Sequence, residues 1–110
     1  MKEKAIETGE IDGHEYWIIP APSEGSLNGY VVFKKRPTIE TGYDGILTYV
    51  PVHGGITFAC EQKDGTMVYG FDTLHFDSHE KPRTDKNWVK GQIKVMLAGI
   101  KKPPKLNESI

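Results

Sequence analysis

Four stretches of the chain are rich in β-branched and aromatic residues and are bounded by residues typical of turns: about 14–19, 28–35, 54–61 and 66–74. This pattern predicts four β-strands. Between the last two stretches, Asp64-Gly65 stands where a tight hairpin turn needs positive backbone φ angles. We therefore expect these two strands to be antiparallel neighbours.

The hairpin also predicts a register. If Asp64 and Gly65 form a two-residue loop, counting outward from that loop fixes which residues face each other. The expected pairs are Lys63 with Thr66, Phe58 with Phe71, Thr57 with Asp72, and Gly54 with His75. On this register one face of the hairpin would meet the core with Ile56, Phe58, Cys60, Met67, Tyr69 and Phe71.

One substantial helix is predicted from Asp85 to about Ile100, because apolar residues recur there at helical spacing on one stripe. The stripe consists of Val89, Ile93, Met96, Leu97 and Ile100. Thr84 or Asp85 suits the N-cap position. The predicted fold class is α+β, a small antiparallel β-sheet of about four strands packed against one C-terminal helix. We expect residues 1–102 to form a single domain and residues 103–110 a loose C-terminal tail.

Composition narrows the classes of protein. The chain has 110 residues, with 14 Lys and Arg against 15 Asp and Glu, so its net charge of -1 gives no general attraction for nucleic acid or acidic membranes. No apolar run is long enough to cross a bilayer, so we expect a cytoplasmic protein without a membrane partner. Cys60 is the single cysteine, which excludes an internal disulfide, and its apolar surroundings predict a buried, inert thiol.

The residues with chemical capability concentrate in two motifs. His53-Gly54-Gly55 begins one strand of the predicted hairpin, and Asp72, His75 and Asp77 follow the end of its partner, so both motifs should meet at the same end. Glycine N–H groups beside a histidine suit a phosphate or carboxylate. The expected ligand-binding residues are His53, Gly54, Gly55, Thr57, Asp72, His75, Asp77 and Tyr30.

Other interpretations of these motifs remain open. The two glycines suit a β-bulge, with Asp72 bonded to Thr57 and His75 capping a loop. His53, His75 and Asp77 also suit a zinc, manganese or iron site, with His79 as a further ligand. We expect His14 and His79 to be exposed loop residues, and Trp17, Tyr16 and Trp88 to be more typical of a core than of a pocket. No cofactor motif is found.

The same motifs resemble an uncharacterised family of short proteins encoded by bacteriophages and bacterial genomes. They read Gly29-Tyr30-Val31, then Pro37, then Val52-His53-Gly54-Gly55-Ile56-Thr57-Phe58, then Gly70-Phe71-Asp72, with His75 and Asp77 following. Arg36 stands before Pro37 where members of that family tend to carry histidine. The resemblance implies a phage or mobile-element setting, and hence the cytoplasm of a host cell, but no established reaction.

The leading hypothesis is a non-enzymatic protein that binds a small anionic ligand, plausibly nucleotide-like, as in the sequestration of a host defence signal. In it, Tyr30 or Trp17 would stack on a ring of the ligand. A metal-dependent hydrolase acting on a phosphate-containing small molecule is the second hypothesis. An inhibitor that binds a host protein through its aromatic face is the third. A domain of this size also favours a homodimer.

Overall fold

Five antiparallel strands form the sheet in the computed structural model, which describes residues 1–21, 26–34, 55–73 and 85–101. The strands are β1 (Glu7–Ile11), β2 (His14–Pro20), β3 (Leu27–Phe33), β4 (Phe58–Glu61) and β5 (Met67–Phe71), and their order across the sheet is β1-β2-β3-β5-β4. A short 3-10 helix, Lys2–Lys4, precedes them, and helix α1, Lys86–Lys101, follows. The predicted α+β fold is confirmed, with one strand more than expected.

Strand β1 was not predicted from its composition, because its sequence Glu-Thr-Gly-Glu-Ile has little of the usual strand character. It pairs with β2 through a two-residue turn, in which Asp12 and Gly13 both have positive φ, 52° and 79°. This is the geometry that an Asp-Gly pair favours in a type I′ hairpin. The dipeptide Asp12-Gly13 was therefore the signal that would have revealed β1.

The second Asp-Gly pair forms a longer turn than predicted. Gln62 N–H donates to the Thr66 carbonyl over 2.8 Å, so Lys63, Asp64 and Gly65 make a three-residue loop, and Gly65 has a φ of 87°. The register predicted for this hairpin is consequently wrong by one residue. The observed pairs are Phe58 with Gly70, Ala59 with Tyr69, Cys60 with Val68, and Glu61 with Met67.

A one-residue slip moves side chains to the other face of a sheet. Phe58 and Cys60 thus share the face of Val68, away from the helix, and their predicted core positions are corrected. Thr57 N–H donates to the Gly70 carbonyl over 3.0 Å, although Gly70 already pairs with Phe58, so a β-bulge lies here. Thr57 therefore lies opposite Gly70 and not opposite Asp72 as expected.

Beyond the bulge, Ile56 returns to the face of the sheet that meets the helix and packs against its core. This helix face joins apolar side chains of β2, β3 and β5 to the stripe of α1. Its buried members are Tyr16, Ile18, Leu27, Val31, Phe33, Met67, Tyr69, Phe71, Val89, Ile93, Met96, Leu97 and Ile100. Each large apolar side chain buried here stabilises the fold by about 1.5–3 kcal/mol before entropy is counted. All five residues of the predicted helical stripe lie in this core.

The N-terminus of α1 is capped as predicted. Asp85 Oδ1 accepts hydrogen bonds from the backbone N–H groups of Asn87 at 2.9 Å and Trp88 at 3.4 Å. The helix continues through Gly91 to Lys101. Within the described ranges, no helix is both long and apolar enough to span a membrane.

The opposite face of the sheet, which we call the outer face, holds a second cluster of buried residues: Trp17, Ile19, Tyr30, Val32 and Val68. Ala5 and Phe58 pack on it while partly buried. Cys60 lies on the edge strand β4 and is exposed, so the expectation of a buried thiol is wrong. Among the described strands only β5 lies beside β4, which agrees with the exposure of Cys60.

Candidate functional site

The structure describes half of the predicted ligand-binding residues. Tyr30, Gly55, Thr57 and Asp72 lie in described segments, whereas the other four predicted residues, His53, Gly54, His75 and Asp77, lie outside them. Gly29 of β3 pairs with Phe71 of β5, which places the next residues, Asn28 and Asp72, opposite each other just beyond the ladder. The end of the sheet where β3 begins and β5 ends is hereafter the site end.

Asn28, Tyr30 and Asp72 form a polar cluster on the outer face at the site end. The Tyr30 hydroxyl is hydrogen-bonded to the side chain of Asn28. Burial raises the pKa of Tyr30, the hydrogen bond from Asn28 opposes that rise, and the negative charge of Asp72 adds to it. The net pKa of Tyr30 lies above its ordinary value, so the phenol keeps its proton at neutral pH.

Two buried oxygen atoms at the site end have no hydrogen-bond partner among the described residues: Ser26 Oγ and Asn28 Oδ1. Ala21 N–H donates to the Ser26 carbonyl over 2.8 Å, which extends the β2–β3 ladder by one pair. Ser26 thus shares the face of Asn28 and Tyr30 by strand alternation. Buried polar atoms in folded proteins almost always have a partner in the protein or in ordered water, so these two atoms mark a candidate site for a bound polar group.

Gly55 leads into the bulge at the same end of the sheet. Its φ of 77° is a conformation that residues with a side chain rarely adopt. No atom of the described residues lies within 4 Å of a Cβ atom placed on Gly55, so no described neighbour covers its backbone on that side. A backbone uncovered by described neighbours permits the close approach of a ligand, and the role of Gly55 in binding stays a prediction.

The rings of Tyr30 and Trp17 pack within the buried cluster of the outer face. Their centroids lie 6.4 Å apart, and Phe58 meets Tyr30 edge-on at 5.6 Å. The side chains of Tyr30 and Trp17 are 9% and 4% exposed, and the ring of Tyr30 also covers Gly70. The group that Tyr30 brings to a ligand is thus its hydroxyl, and the expected stacking by either ring has no support from this geometry.

A separate groove of about 690 Å³ lies at the opposite end of the sheet, beside both Asp-Gly turns. Glu3, Glu10, Glu15 and Asp64 line it together with Lys2 and Lys34, so carboxylates outnumber ammonium groups. Such a lining does not suit the anionic ligand that the sequence predicts.

His14 also lines this groove. The expectation that it is an exposed loop residue is wrong. It begins β2, is half-buried, and its ring centroid lies 4.5 Å from that of Phe33. Its Nδ1 lies 3.3 Å from the Val32 carbonyl oxygen. These contacts account for His14 as part of the fold.

The described residues contain no group of three side chains that could hold a metal ion. The metal ligands that the sequence predicts, His53, His75 and Asp77 with His79, all lie outside the described segments. The metal-dependent hydrolase therefore stays a prediction. Metal analysis of the purified protein, with turnover assays in added manganese or zinc, tests it directly.

No protein-family model, no curated protein and no solved structure matches the chain, so comparison with known proteins assigns it to no family. The resemblance to short phage-encoded proteins stays a prediction.

Ser26 and Asn28 are not among the predicted ligand-binding residues, because Ser26 lies outside the predicted strand of residues 28–35 and Asn28 is only its first position. Alternation along β3 held the signal, since Ser26, Asn28 and Tyr30 carry polar groups on one face while Leu27 and Val31 are apolar on the other. A polar row on a strand that is otherwise buried on both faces is unusual and indicates a site.

Proposed function

We propose that this protein binds a small, anionic, nucleotide-like molecule at the site end of the sheet. The observation that carries the proposal is the pair of buried, unpaired oxygens on Ser26 and Asn28, next to Tyr30 and Asp72. Leaving such atoms without a partner costs on the order of 1–3 kcal/mol each. A ligand that bonds to them recovers this cost, which gives the site its affinity.

Different groups at the site end would bind different parts of the ligand. The open backbone at Gly55, with the predicted contribution of His53 and Gly54, would receive the anionic group of the ligand. Asn28 and Asp72 supply hydrogen-bond acceptors for its hydroxyl or amino groups. The Tyr30 hydroxyl, which is hydrogen-bonded to the Asn28 side chain, would help to hold that side chain in place.

The biological setting that we propose follows the resemblance to phage-encoded proteins. A small protein that sequesters a nucleotide signal in the host cytoplasm would need tight binding and no turnover. A chain of 12.3 kDa buries a modest core, so we propose a homodimer as its assembly. Sedimentation analysis measures that assembly independently of binding.

Isothermal calorimetry with a panel of cyclic and linear nucleotides tests the function. We expect saturable binding of at least one nucleotide, weakened about tenfold or more by His53→Ala and by Tyr30→Phe. Tyr16→Phe is the matched control, because its hydroxyl bonds Glu7 on the helix face. Absence of binding by every nucleotide, or equal affinity in all variants, would overturn the proposal.

A further inference from the structure

The charges of this chain are unevenly distributed. Lys and Arg number 14 against 15 Asp and Glu in the whole chain, yet helix α1 contains four lysines and no acidic residue. The helix is therefore basic, and the rest of the protein is acidic. A net charge close to zero consequently does not exclude a local attraction for anions at α1.

The four lysines of α1 share one side of the helix. Lys86, Lys90 and Lys94 follow one another at intervals of four residues, which places them in line along the helix. Lys101 comes about four turns after Lys86 and so falls on the same side. Three of the four are exposed, and Lys90 is half-buried. We call these four residues, which span about 22 Å at a rise of 1.5 Å per residue, the lysine row.

The stability of the helix does not explain the lysine row. Like charges four residues apart repel each other and destabilise a helix. Lys86 also lies in the first turn, where the helix dipole disfavours a positive charge. On an exposed helix face that contacts only solvent, both signs of charge usually alternate. A row of one sign indicates instead that an external anion relieves the repulsion.

A single described carboxylate contacts the lysine row. Glu7 Oε1 lies 3.6 Å from Lys86 Nζ, and Glu7 Oε2 lies 3.9 Å from Lys90 Nζ. In the described segments no carboxylate forms an ion pair with Lys94 or Lys101. One carboxylate cannot neutralise four ammonium groups, so the lysine row keeps a net positive charge.

The shape and surroundings of the lysine row favour a nucleic acid over other anions. Duplex DNA carries about one negative charge per 1.7 Å of its axis, so a row of about 22 Å can meet several phosphates at once. A helix that lies on a membrane exposes large apolar side chains. Helix α1 is described along its whole length, and the one large apolar side chain that it exposes is Val95, at 37%.

We propose that the lysine row is a docking surface for the phosphate backbone of a nucleic acid, bound without recognition of the base sequence. Each lysine that meets a phosphate releases a counterion from the nucleic acid. Glu7 competes with the phosphates for Lys86 and Lys90 and so weakens the docking. Helix α1 packs on the face of the sheet opposite the polar cluster of the site end, so this inference does not depend on the proposed function.

Fluorescence anisotropy of a short labelled DNA duplex of arbitrary sequence, titrated with the full chain at about 20 to 200 mM salt, tests the docking. We expect affinity to fall steeply with salt. The double variant Lys94→Gln with Lys101→Gln should weaken binding about threefold or more at low salt and reduce the slope of log affinity against log salt by about two. Lys4→Gln with Lys63→Gln removes the same charge from two exposed residues outside α1 and should change neither quantity.

Substitution of an acidic residue gives a second readout of opposite sign. Glu7→Gln frees Lys86 and Lys90 and should tighten binding about twofold or more at low salt. Glu15→Gln changes the net charge equally but frees Lys2, which lies outside α1, so affinity should stay nearly unchanged. A folding defect does not tighten binding, so this comparison remains decisive if the lysine variants lose stability.

Three results would overturn the proposal. The first is an absence of binding at the lowest salt, and the second is an equal effect of the matched variants in either comparison. The third is binding of poly-L-glutamate or of phosphatidylserine vesicles as tight as that of the duplex, which would assign the lysine row to an acidic protein or to a membrane.

Discussion

The two faces of the sheet differ in what packs against them. On the helix face, apolar side chains from β2, β3 and β5 close against α1, and Thr73 Oγ1 donates to the Leu27 carbonyl over 3.0 Å. On the outer face an aromatic cluster fills the middle, and at the site end Ser26 Oγ and Asn28 Oδ1 are buried without a hydrogen-bond partner in the described segments. The helix face is closed by packing against α1, and the outer face carries the candidate site.

The two faces also hold their acidic side chains differently. On the helix face, Glu7 accepts a hydrogen bond of 2.6 Å from the Tyr16 hydroxyl, with Lys86 Nζ 3.6 Å away. On the outer face, Glu15 accepts from Trp17 Nε1 over 2.8 Å and pairs with Lys2. Glu7 thus links the edge strand to the helix, whereas the side chain of Glu15 is 37% exposed, and the Lys2–Glu15 ion pair lies near the surface.

The largest loss of folding stability is expected from a substitution that opens a cavity on the helix face. Ile93 is fully buried in the middle of the α1 stripe. Ile93→Ala should lower the free energy of unfolding by about 2–5 kcal/mol, because it removes packed methyl groups and leaves a void. Urea denaturation measures this, with Val95→Ala on the exposed side of the same helix as control. A loss under about 1 kcal/mol for Ile93→Ala would show that α1 does not pack as described.

A smaller loss of folding stability is expected from replacing a glycine by alanine on either face of the sheet. A Cβ on Gly29 would lie 2.6 Å from the ring of Phe71 and 2.8 Å from Ile93 Cγ1, on the helix face. A Cβ on Gly70 would press into the ring of Tyr30, on the outer face. Each Gly→Ala change should cost about 1–3 kcal/mol of unfolding free energy, since a neighbour must move.

Ligand affinity distinguishes these two glycine variants. Gly70→Ala should weaken nucleotide binding because it displaces Tyr30, whereas Gly29→Ala should leave binding of the folded protein unchanged. Gly91→Ala is a control of opposite sign, because no described atom outside its own helix backbone lies within 4 Å of the added Cβ and alanine favours a helix by about 1 kcal/mol. Equal binding by the Gly29 and Gly70 variants would argue against a ligand site on the outer face.

The smallest effect is expected from acidification. The pKa of Glu7 is lowered by the Tyr16 hydrogen bond and then by Lys86 and Lys90, and the pKa of Glu15 is lowered by Lys2 and then by Trp17. Both pKa values are lower in the folded protein than in the unfolded chain. The ionised carboxylates therefore stabilise the fold above about pH 4.5, and this stabilisation is lost as the pH falls through the pKa values of the folded protein.

Unfolding free energies measured from about pH 6 to pH 3 test this sign. Glu7→Gln should flatten the decline by about 1 kcal/mol or less, which is typical of one charge-assisted hydrogen bond near the surface. Glu15→Gln should act in the same direction but more weakly at high salt, because the Lys2–Glu15 ion pair is exposed to solvent and screened. A steeper acid decline in either variant would contradict the assignment.

Local sequence by itself determined much of this protein. The apolar stripe of α1 and its Asp85 cap, together with the approximate positions of β2, β3 and β5, follow from periodicity and capping, which depend on residues close together in the chain. The antiparallel β4–β5 hairpin follows for the same reason. The β4–β5 hairpin brings Gly55 and Asp72 to one end of the sheet. Tyr30 comes near them because β3 pairs with β5, which the hairpin alone does not determine.

Tertiary structure decided the rest. An Asp-Gly pair serves both the two-residue turn at Asp12 and the three-residue turn at Asp64, so the register of β4 depends on how the bulge and the core fit together. Exposure of Cys60 likewise depends on β4 lying at the edge of the sheet. Ser26 Oγ and Asn28 Oδ1, which have no partner in the described part of the chain, are buried because β3 lies between β2 and β5, since burial is a property of the surroundings and not of the residue.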